Sequence, residues 1–177
     1  MMVGPELQIS SELRLIAPSV ERDAVVSVKW RSGEDGRNTQ ASMGIPAKDI
    51  SRPTLDDERT LIRNFIDTKD EIVWMIECDE QIVGAVEVHL VGNAEIQSPN
   101  VSIMIGETRY RGKGIGRKVM RTVIQFLISN ERYTKIYARY LVANVASEKM
   151  NRQVGFRLDG PSYIDENGLE WQNVIYD

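Results

Sequence analysis

One short segment of the sequence combines glycine and positive charge at a spacing suited to anion binding. It runs through Arg111, Gly112, Lys113, Gly114, Ile115, Gly116 and Arg117. Glycine lets a backbone N–H group approach a phosphate without obstruction by a Cβ atom, and a helix that follows adds the positive end of its dipole. The segment therefore predicts a phosphate-binding loop. A plain glycine-rich turn before a helix is the structural alternative.

Two common nucleotide-binding motifs do not fit this segment. Its glycines follow the spacing G-x-G-x-G, whereas dinucleotide-binding proteins carry G-x-G-x-x-G. The Walker motif needs Ser or Thr directly after Gly-Lys, whereas Gly112-Lys113 is followed by Gly114. Sites of these two classes are therefore excluded.

A second candidate site is a carboxylate beside the only histidine of the chain. Glu87 and His89 are two residues apart in the strand-like segment Ile82–Val91, so both side chains are expected on one side of the strand. The opposite side is expected to be apolar and to consist of Ile82, Gly84, Val86, Val88 and Leu90. A carboxylate next to an imidazole in a cleft can transfer protons, whereas a solvent-facing pair at a hairpin edge would have no chemical role.

The elements around the glycine-rich segment are predicted by their periodicity. Val101–Ile105 is typical of a strand and directly precedes it. The apolar residues that follow recur at helical spacing and predict a helix of about four turns. They are Ile115, Val119, Met120, Val123, Ile124, Leu127 and Ile128. A strand at Lys135–Leu141 and a short helix at Ala146–Gln153, ended by Gly155, complete this strand–helix–strand unit.

Further strands are predicted on both sides of that unit. Leu13–Ile16 is strand-like, and Ile72–Cys78 pairs with Ile82–Val91 in a predicted hairpin. Arg157–Ile164 and Leu169–Tyr176 flank Asn167-Gly168, which is a strong signal for a two-residue hairpin turn. Hairpins combined with a strand–helix–strand unit predict an α+β fold in three layers. Its central sheet is expected to be mixed and mostly antiparallel, with helices on both faces.

Two further helices are predicted before the first hairpin. Ser19 is expected to cap a helix that runs to Trp30 and is ended by Gly33 and Gly36. Residues 31–53 are predicted to form a long loop with room for a short helical piece. Thr54, with Asp57 three residues later, resembles a capping box and starts the next helix. We expect a single domain over residues 11–177 and an N-terminal extension over residues 1–10.

Composition limits the possible functions of this domain. The chain has 177 residues, one cysteine, one histidine and a formal net charge of −4. One cysteine and one histidine argue against a cysteine-based or histidine-rich metal site, so no metal is expected. The net charge argues against nucleic acid as a partner. No apolar run approaches the ~20 residues of a membrane span, and the first residues do not resemble a signal peptide. We therefore expect a cytoplasmic protein without a membrane partner.

Three motifs together resemble the GNAT superfamily of acyl-CoA N-acyltransferases. Arg111-x-x-Gly114-x-Gly116 resembles its acyl-CoA signature between a strand and an amphipathic helix. Asn144-Val-Ala-Ser147 after the next strand and Gly155-Phe156 at the end of the short helix agree with the family pattern. Within the superfamily the chain is similar to the subgroup that contains the ribosomal-protein N-terminal acetyltransferases.

The resemblance implies a GNAT-like fold over residues 11–177 and acetyl-CoA as co-substrate. Arg111–Gly116, with Arg117 beside it, would form the pyrophosphate loop, largely through backbone N–H groups. Ile105 and Gly106 would pair with the pantetheine arm. Asn144 and Ser147 would contact that arm, although either residue can instead cap the short helix that follows.

Two positions depart from the family pattern. Many members carry a tyrosine, which can protonate the leaving thiolate, where this chain has Asn151, and a glutamate base where it has Asn100. Glu87 and His89 are then the remaining candidates for the catalytic groups. The expected reaction is acetyl transfer to a primary amine, on a small molecule or a protein N-terminus, and a homodimer is possible. A non-catalytic acetyl-CoA-binding regulatory module is the alternative.

Overall fold

The sheet and its helices are described for residues 4–177 in a computed structural model. The strands in this part of the chain are β1 (Leu7–Gln8), β2 (Leu13–Ile16), β3 (Glu71–Cys78), β4 (Gln81–His89), β5 (Asn100–Ile105), β6 (Ile136–Leu141), β7 (Arg157–Leu158), β8 (Tyr163–Ile164) and β9 (Glu170–Tyr176). The α-helices are α1 (Val20–Trp30), α2 (Gly33–Ser42), α3 (Leu55–Asp67), α4 (Ile115–Ser129) and α5 (Val145–Val154). A 3-10 turn lies at Thr108–Tyr110.

The nine strands of residues 4–177 join one sheet in the order β1-β2-β3-β4-β5-β6-β9-β7, with β8 also paired to β9. Neighbours are antiparallel except β5 and β6, which are parallel and pair at Asn100 and Tyr137. Beyond that pair β5 and β6 diverge, and a notch opens between their carboxyl ends. The predicted mixed, mostly antiparallel sheet is confirmed.

Helices cover both faces of the sheet. On one face α4 buries Val119, Val123 and Leu127 against strand residues such as Val86 and Val88. On the other face Trp30 of α1 packs on Met75 and Ala85. The helical spacing predicted for α4 is confirmed from Ile115 to Leu127, whereas Ile128, which was expected on the same face, is exposed. We call these two surfaces the α4 face and the α1 face.

The segment predicted as a long loop contains the ten-residue helix α2. Gly33, which was expected to end α1, is instead the first residue of α2. The helix is held by buried polar side chains: Gln40 is 1% exposed, and its Nε2 donates to the carbonyl oxygens of Arg31 at 3.1 Å and Ser51 at 2.9 Å. Because α2 lacks an apolar stripe, hydrophobic periodicity could not reveal it.

A β-bulge in β4 corrects the predicted apolar face. Ile76 pairs with Gly84 but Glu77 pairs with Ile82, so Val83 is an extra residue in the strand. Val83, like Val86 and Val88, packs in the α4-side core, whereas Ile82 packs with the α1-side cluster. The expectation that Ile82 shares a face with Val86 and Val88 was wrong, because the bulge inverts the alternation.

The C-terminal hairpin is longer at its turn than predicted. Tyr163 pairs with Trp171 and Ile164 with Glu170, so residues 165–169 connect the strands instead of the two-residue turn at Asn167-Gly168. Asp165 Oδ1 organises this loop by accepting from the backbone N–H groups of Asn167 at 2.8 Å and Leu169 at 2.9 Å. The expected capping box at Thr54 and Asp57 is present in full.

Candidate functional site

The notch between β5 and β6 exposes one backbone edge of β5. Tyr137 N donates to the carbonyl oxygen of Pro99 at 2.9 Å, so the peptide groups of residues 99, 101, 103 and 105 point toward β6. Since β6 diverges after Tyr137, the peptide groups of Ile103 and Ile105 face the notch. Gly106 N instead donates to Val83 of β4 at 2.9 Å. Of the two residues expected to pair with pantetheine, Ile105 therefore faces the notch, and the Gly106 N–H does not.

The glycine-rich loop forms an open cradle at the start of α4. Gly112 and Gly114 have φ values of 73° and 78°, a left-handed conformation that favours glycine. A Cβ atom on Gly112 would meet no atom within 4 Å, and one on Gly114 would meet only Arg117 Nη2 at 3.7 Å. Gly114 is the N-cap of α4 and offers no side chain to the first N–H groups of the helix. The space beside both glycines is therefore open, and the first N–H groups of the helix have no side-chain cap.

The basic side chains of the loop have different surroundings. Arg111 is exposed but held by the protein: its Nε donates to the carbonyl oxygen of Ile105 at 2.8 Å, and its Nη2 donates to Thr39 Oγ1 at 2.8 Å. Lys113 lies 5.2 Å from the centre of the Tyr110 ring. Arg117 makes a weak contact of 3.4 Å with Gln153. Lys113 and Arg117 can therefore turn to a phosphate, whereas Arg111 braces the loop against α2.

Asn144 has a structural role at the other side of the notch. Its Oδ1 accepts from the backbone N–H of Ser147 at 3.1 Å and caps α5, and its Nδ2 donates to the carbonyl oxygen of Ser42 at 3.1 Å. A cavity of about 320 Å³ lies beside this contact. It is lined by Ala41, Ser42, Leu141, Ala143, Asn144 and Val145. Through Thr39 and Ser42, α2 therefore contacts both loops that border the notch.

The two asparagines that replace the tyrosine and the glutamate of many family members are buried. Asn151 is 3% exposed, and its Nδ2 donates to the carbonyl oxygen of Ser147 at 2.9 Å. Its Oδ1 has no hydrogen-bond partner among residues 4–177. Asn100 is 9% exposed, and its Nδ2 donates to the carbonyl oxygen of Gln97 at 3.2 Å. Neither amide can serve as a general acid or base near neutral pH.

Glu87 and His89 share the α1 face, as predicted, and a second glutamate joins them. His89 Nδ1 lies 2.9 Å from Glu71 Oε1, and His89 Nε2 lies 3.8 Å from Glu87 Oε2. Ser102 Oγ donates to Glu87 Oε2 at 3.5 Å. The three charged or titratable side chains are 23% to 30% exposed, so a solute can reach them. Burial raises the pKa of Glu87, and although a positive His89 opposes this shift, the charge of Glu71 adds to it.

The register of the sheet places this cluster beside the position that holds a base in many family members. Glu71, His89 and Asn100 lie side by side on three neighbouring strands. Ser102, next to Glu87, is exposed although β5 is an interior strand, so the α1 face is uncovered here. Sequence reasoning missed Glu71, although the register of the predicted β3–β4 hairpin could have placed it opposite His89.

Three features of the described residues bear on metal binding, membrane spanning and cysteine chemistry. Within residues 4–177, no group of three or more His, Cys, Asp or Glu side chains is arranged to hold a metal ion. In the same range, no helix is both long and apolar enough to cross a membrane. The buried Cys78 thiol lies in the α4-side core, and burial raises its pKa, so it is not an activated nucleophile.

Comparisons of both the sequence and the structure with known proteins find acetyltransferases. An N-acetyltransferase 9-like protein of Caenorhabditis elegans is 21% identical over 92% of this chain and 84% of its own length. The crystal structure of the microcin C7 self-immunity acetyltransferase MccE, in complex with acetyl-CoA and AMP, has a TM-score of 0.78 at 18% identity. It covers 99% of this chain and 97% of that one.

A ribosomal L7/L12 alpha-N-protein acetyltransferase, solved in complex with coenzyme A, has a TM-score of 0.75 at 13% identity, with 97% of each chain covered. These likenesses confirm the predicted fold. The model of the acetyltransferase (GNAT) domain family matches residues 12–157, which include the cradle, both notch strands and the Glu71–His89 pair. The chain therefore belongs to the GNAT family of acetyltransferases.

Proposed function

We propose that this acetyltransferase transfers the acetyl group of acetyl-CoA to a primary amine of a cationic acceptor. One observation carries the proposal: β5, whose Ile103 and Ile105 edge faces the notch, also lies beside Glu87 and His89, which pair with Ser102 and Asn100 of that strand. A donor held from the α4 side can therefore meet an acceptor held on the α1 side. The two substrates need not share one pocket.

On the donor side, the backbone is the main binding group. The first N–H groups of α4, at Ile115, Gly116 and Arg117, would hold the pyrophosphate, since no intrahelical carbonyl pairs with them. Lys113 and Arg117 would add side-chain charge. The peptide edge of Ile105 and the amide of Asn144, with Ser147 at the start of α5, border the path of the pantetheine arm.

On the acceptor side, His89 lies next to Asn100 and can replace the missing glutamate base. An ionised Glu87 would attract the ammonium group of the acceptor. The unprotonated ring nitrogen of His89 would then take one proton from that ammonium group. The free amine then attacks the thioester carbonyl, the C–N bond forms and the C–S bond breaks. The nitrogen releases a second proton to solvent. One amide, one free thiol and one net proton result.

The thiolate must be protonated without help from a tyrosine. Asn151 has no titratable proton, so solvent would supply it. This is feasible because a thiol pKa near ~8.5 makes the thiolate a tolerable leaving group near neutral pH. Much of the acceleration would then come from holding the amine against the thioester, which can be worth roughly 7 kcal/mol or more.

The acceptor class is proposed from charge. Glu71 and Glu87 provide two carboxylates beside one imidazole, and no Lys or Arg pairs with either carboxylate among residues 4–177. This surface favours a protonated amine over an anionic acceptor. A small-molecule amine and a protein N-terminus both fit, and the structural neighbour named for ribosomal L7/L12 acts on a protein.

A thiol-release assay over a panel of amines and N-terminal peptides tests the proposal. We expect acetyl-CoA turnover with at least one cationic acceptor, and a drop in kcat/KM on the order of 10²-fold for Glu87→Gln and for His89→Gln. Glu77→Gln is the matched control, because Glu77 lies on β3 and pairs with Arg14 at 2.6 Å. Tight acetyl-CoA binding without thiol release from any acceptor would instead favour a non-catalytic regulatory module.

A further inference from the structure

Glu71 contacts one ring nitrogen of His89, and Glu87 lies nearer the other. Glu71 Oε1 lies 2.9 Å from Nδ1, which is hydrogen-bonding distance, whereas Glu87 Oε2 lies 3.8 Å from Nε2, which is not. The two carboxylates are therefore unequal partners of one ring. They belong to β3 and β4, and cross-strand pairing of Glu71 with His89 holds the first contact in register.

We propose that Glu71 is a positioning residue that fixes the tautomer of His89, so that the bare Nε2 nitrogen faces Glu87 and the acceptor side of the notch. An ionised carboxylate can only accept a hydrogen bond, so the proton of the neutral ring must reside on Nδ1. The remaining nitrogen, Nε2, then carries a lone pair and can accept a proton.

The space between Nε2 and Glu87 suits an amine nitrogen. The two atoms are 3.8 Å apart, too close for an atom on the line between them. A nitrogen placed off that line can still lie ~2.8–3.0 Å from both and direct one N–H to each. An ammonium group would thus be held by the charge of Glu87 and would lose its proton to Nε2.

Glu71 would also stabilise the ring after proton transfer. A protonated His89 donates from Nδ1 to the Glu71 carboxylate, which lies within direct contact. The groups that face the ring are Glu71 from β3, Glu87 from its own strand, and the neutral Asn100 and Ser102 side chains from β5. A carboxylate therefore lies on each side of the ring that receives the proton.

Nuclear magnetic resonance can test the tautomer directly, because His89 is the only histidine in the chain. With ¹⁵N-histidine labelling of the whole protein, we expect a pyrrole-type shift at Nδ1 and a pyridine-type shift at Nε2, at a pH above the midpoint of its titration. Glu71→Leu removes the acceptor and should restore the Nε2–H form that free histidine prefers. Glu71→Gln keeps an oxygen acceptor and should retain part of the Nδ1–H form.

Glu77→Leu is the control, since the same substitution on the same strand leaves His89 untouched and should leave both shifts unchanged. An Nε2–H tautomer in the wild-type protein would overturn the inference, as would identical spectra for wild type and Glu71→Leu. This measurement needs no substrate.

The role of Glu71 in turnover rests on the proposed function. With an accepted amine, Glu71→Leu should lower kcat/KM by about 10²-fold, and Glu71→Gln by less, with acetyl-CoA affinity unchanged. If no amine is acetylated but the Nδ1–H form is observed, the proposed function fails and the tautomer assignment stands. Unchanged kcat/KM in both variants would show that Glu71 does not act through His89 in catalysis.

Discussion

Arg111 and Thr39 join the glycine-rich loop to helix α2 by a hydrogen bond of 2.8 Å between Nη2 and Oγ1. Thr39 is 3% exposed and also donates to the carbonyl oxygen of Asp35 at 2.7 Å. Arg111 is in turn fixed by the carbonyl oxygen of Ile105 at the end of β5. This relationship couples the glycine-rich loop to a helix that also contacts the loop before α5 through Ser42.

Thr39→Val should weaken this coupling. The variant keeps the shape of the side chain but loses the acceptor for Arg111, so we expect unfolding free energy to fall by about 1 kcal/mol and acetyl-CoA affinity to fall several-fold. Urea denaturation and calorimetry measure the two effects. Thr60→Val is the control, because exposed Thr60 makes the same backward hydrogen bond, to Asp56, at 2.9 Å. Equal effects in the two variants would refute the coupling.

Gly114→Asp should abolish most acetyl-CoA binding. The added carboxylate would stand at the site of the phosphate, and a loss of tenfold or more follows from repulsion of about 1.4 kcal/mol. The positive φ also strains any side chain by ~1–2 kcal/mol, which Gly114→Ala reports without the charge. Gly33→Asp is the second control, since Gly33 has a φ of 69° and starts α2 away from the cradle. Calorimetry should show lost affinity for Gly114→Asp alone.

Asn151→Ala should reduce turnover only modestly. Its amide donates locally to Ser147 and carries no titratable proton, so kcat should fall less than tenfold, whereas loss of a general acid typically costs ~10²–10⁴-fold. Steady-state kinetics with an accepted amine measure this. A hundredfold fall in kcat at unchanged acetyl-CoA affinity would contradict the assignment of solvent as the proton donor.

Glu87→Gln should make stability less dependent on pH. Burial raises the pKa of Glu87 in the folded protein, and Glu71 reinforces this against the influence of His89. The folded state then binds the proton more tightly than the unfolded chain, whose glutamate pKa is about 4.3. Stability therefore falls as pH rises from about 4 through the raised value. Glutamine lacks this titration, so the variant should gain stability relative to wild type over that range.

Denaturant midpoints measured at several pH values test this prediction. A constant difference between the two proteins at all pH values would refute it. Glu77→Gln is again the control, because Glu77 is not among the neighbours that shift the pKa of Glu87.

Parts of the site could be predicted from the sequence because they depend on local chemistry. The apolar spacing from Ile115 to Leu127 follows one face of a helix, and the glycines before it leave the helix N-terminus accessible, whatever lies elsewhere in the chain. The side-by-side placement of Glu87 and His89 follows from the two-residue repeat of a strand, and the bulge at Val83 lies before both.

Other parts were not predictable from one-dimensional patterns. Helix α2 is held by Gln40 and Thr39 rather than by apolar residues, so it depends on polar partners outside the helix, of which Arg111 is 72 residues away. The close approach of β4 to β5 requires Gly84, where a Cβ atom would lie 2.1 Å from the carbonyl oxygen of Met104. That contact exists only once β4 and β5 are paired.

The sequence by itself determined the glycine-rich loop, the strand and helix on either side of it, and the family of the protein, because each is encoded in contiguous residues. The tertiary structure decided which distant groups meet. Asn144 and Ser42 are 102 residues apart and come together where α2 meets the loop before α5. Arg111 and Thr39 are 72 residues apart and come together through helix packing. Such contacts depend on the relative placement of whole elements, which no local spacing of residue types specifies.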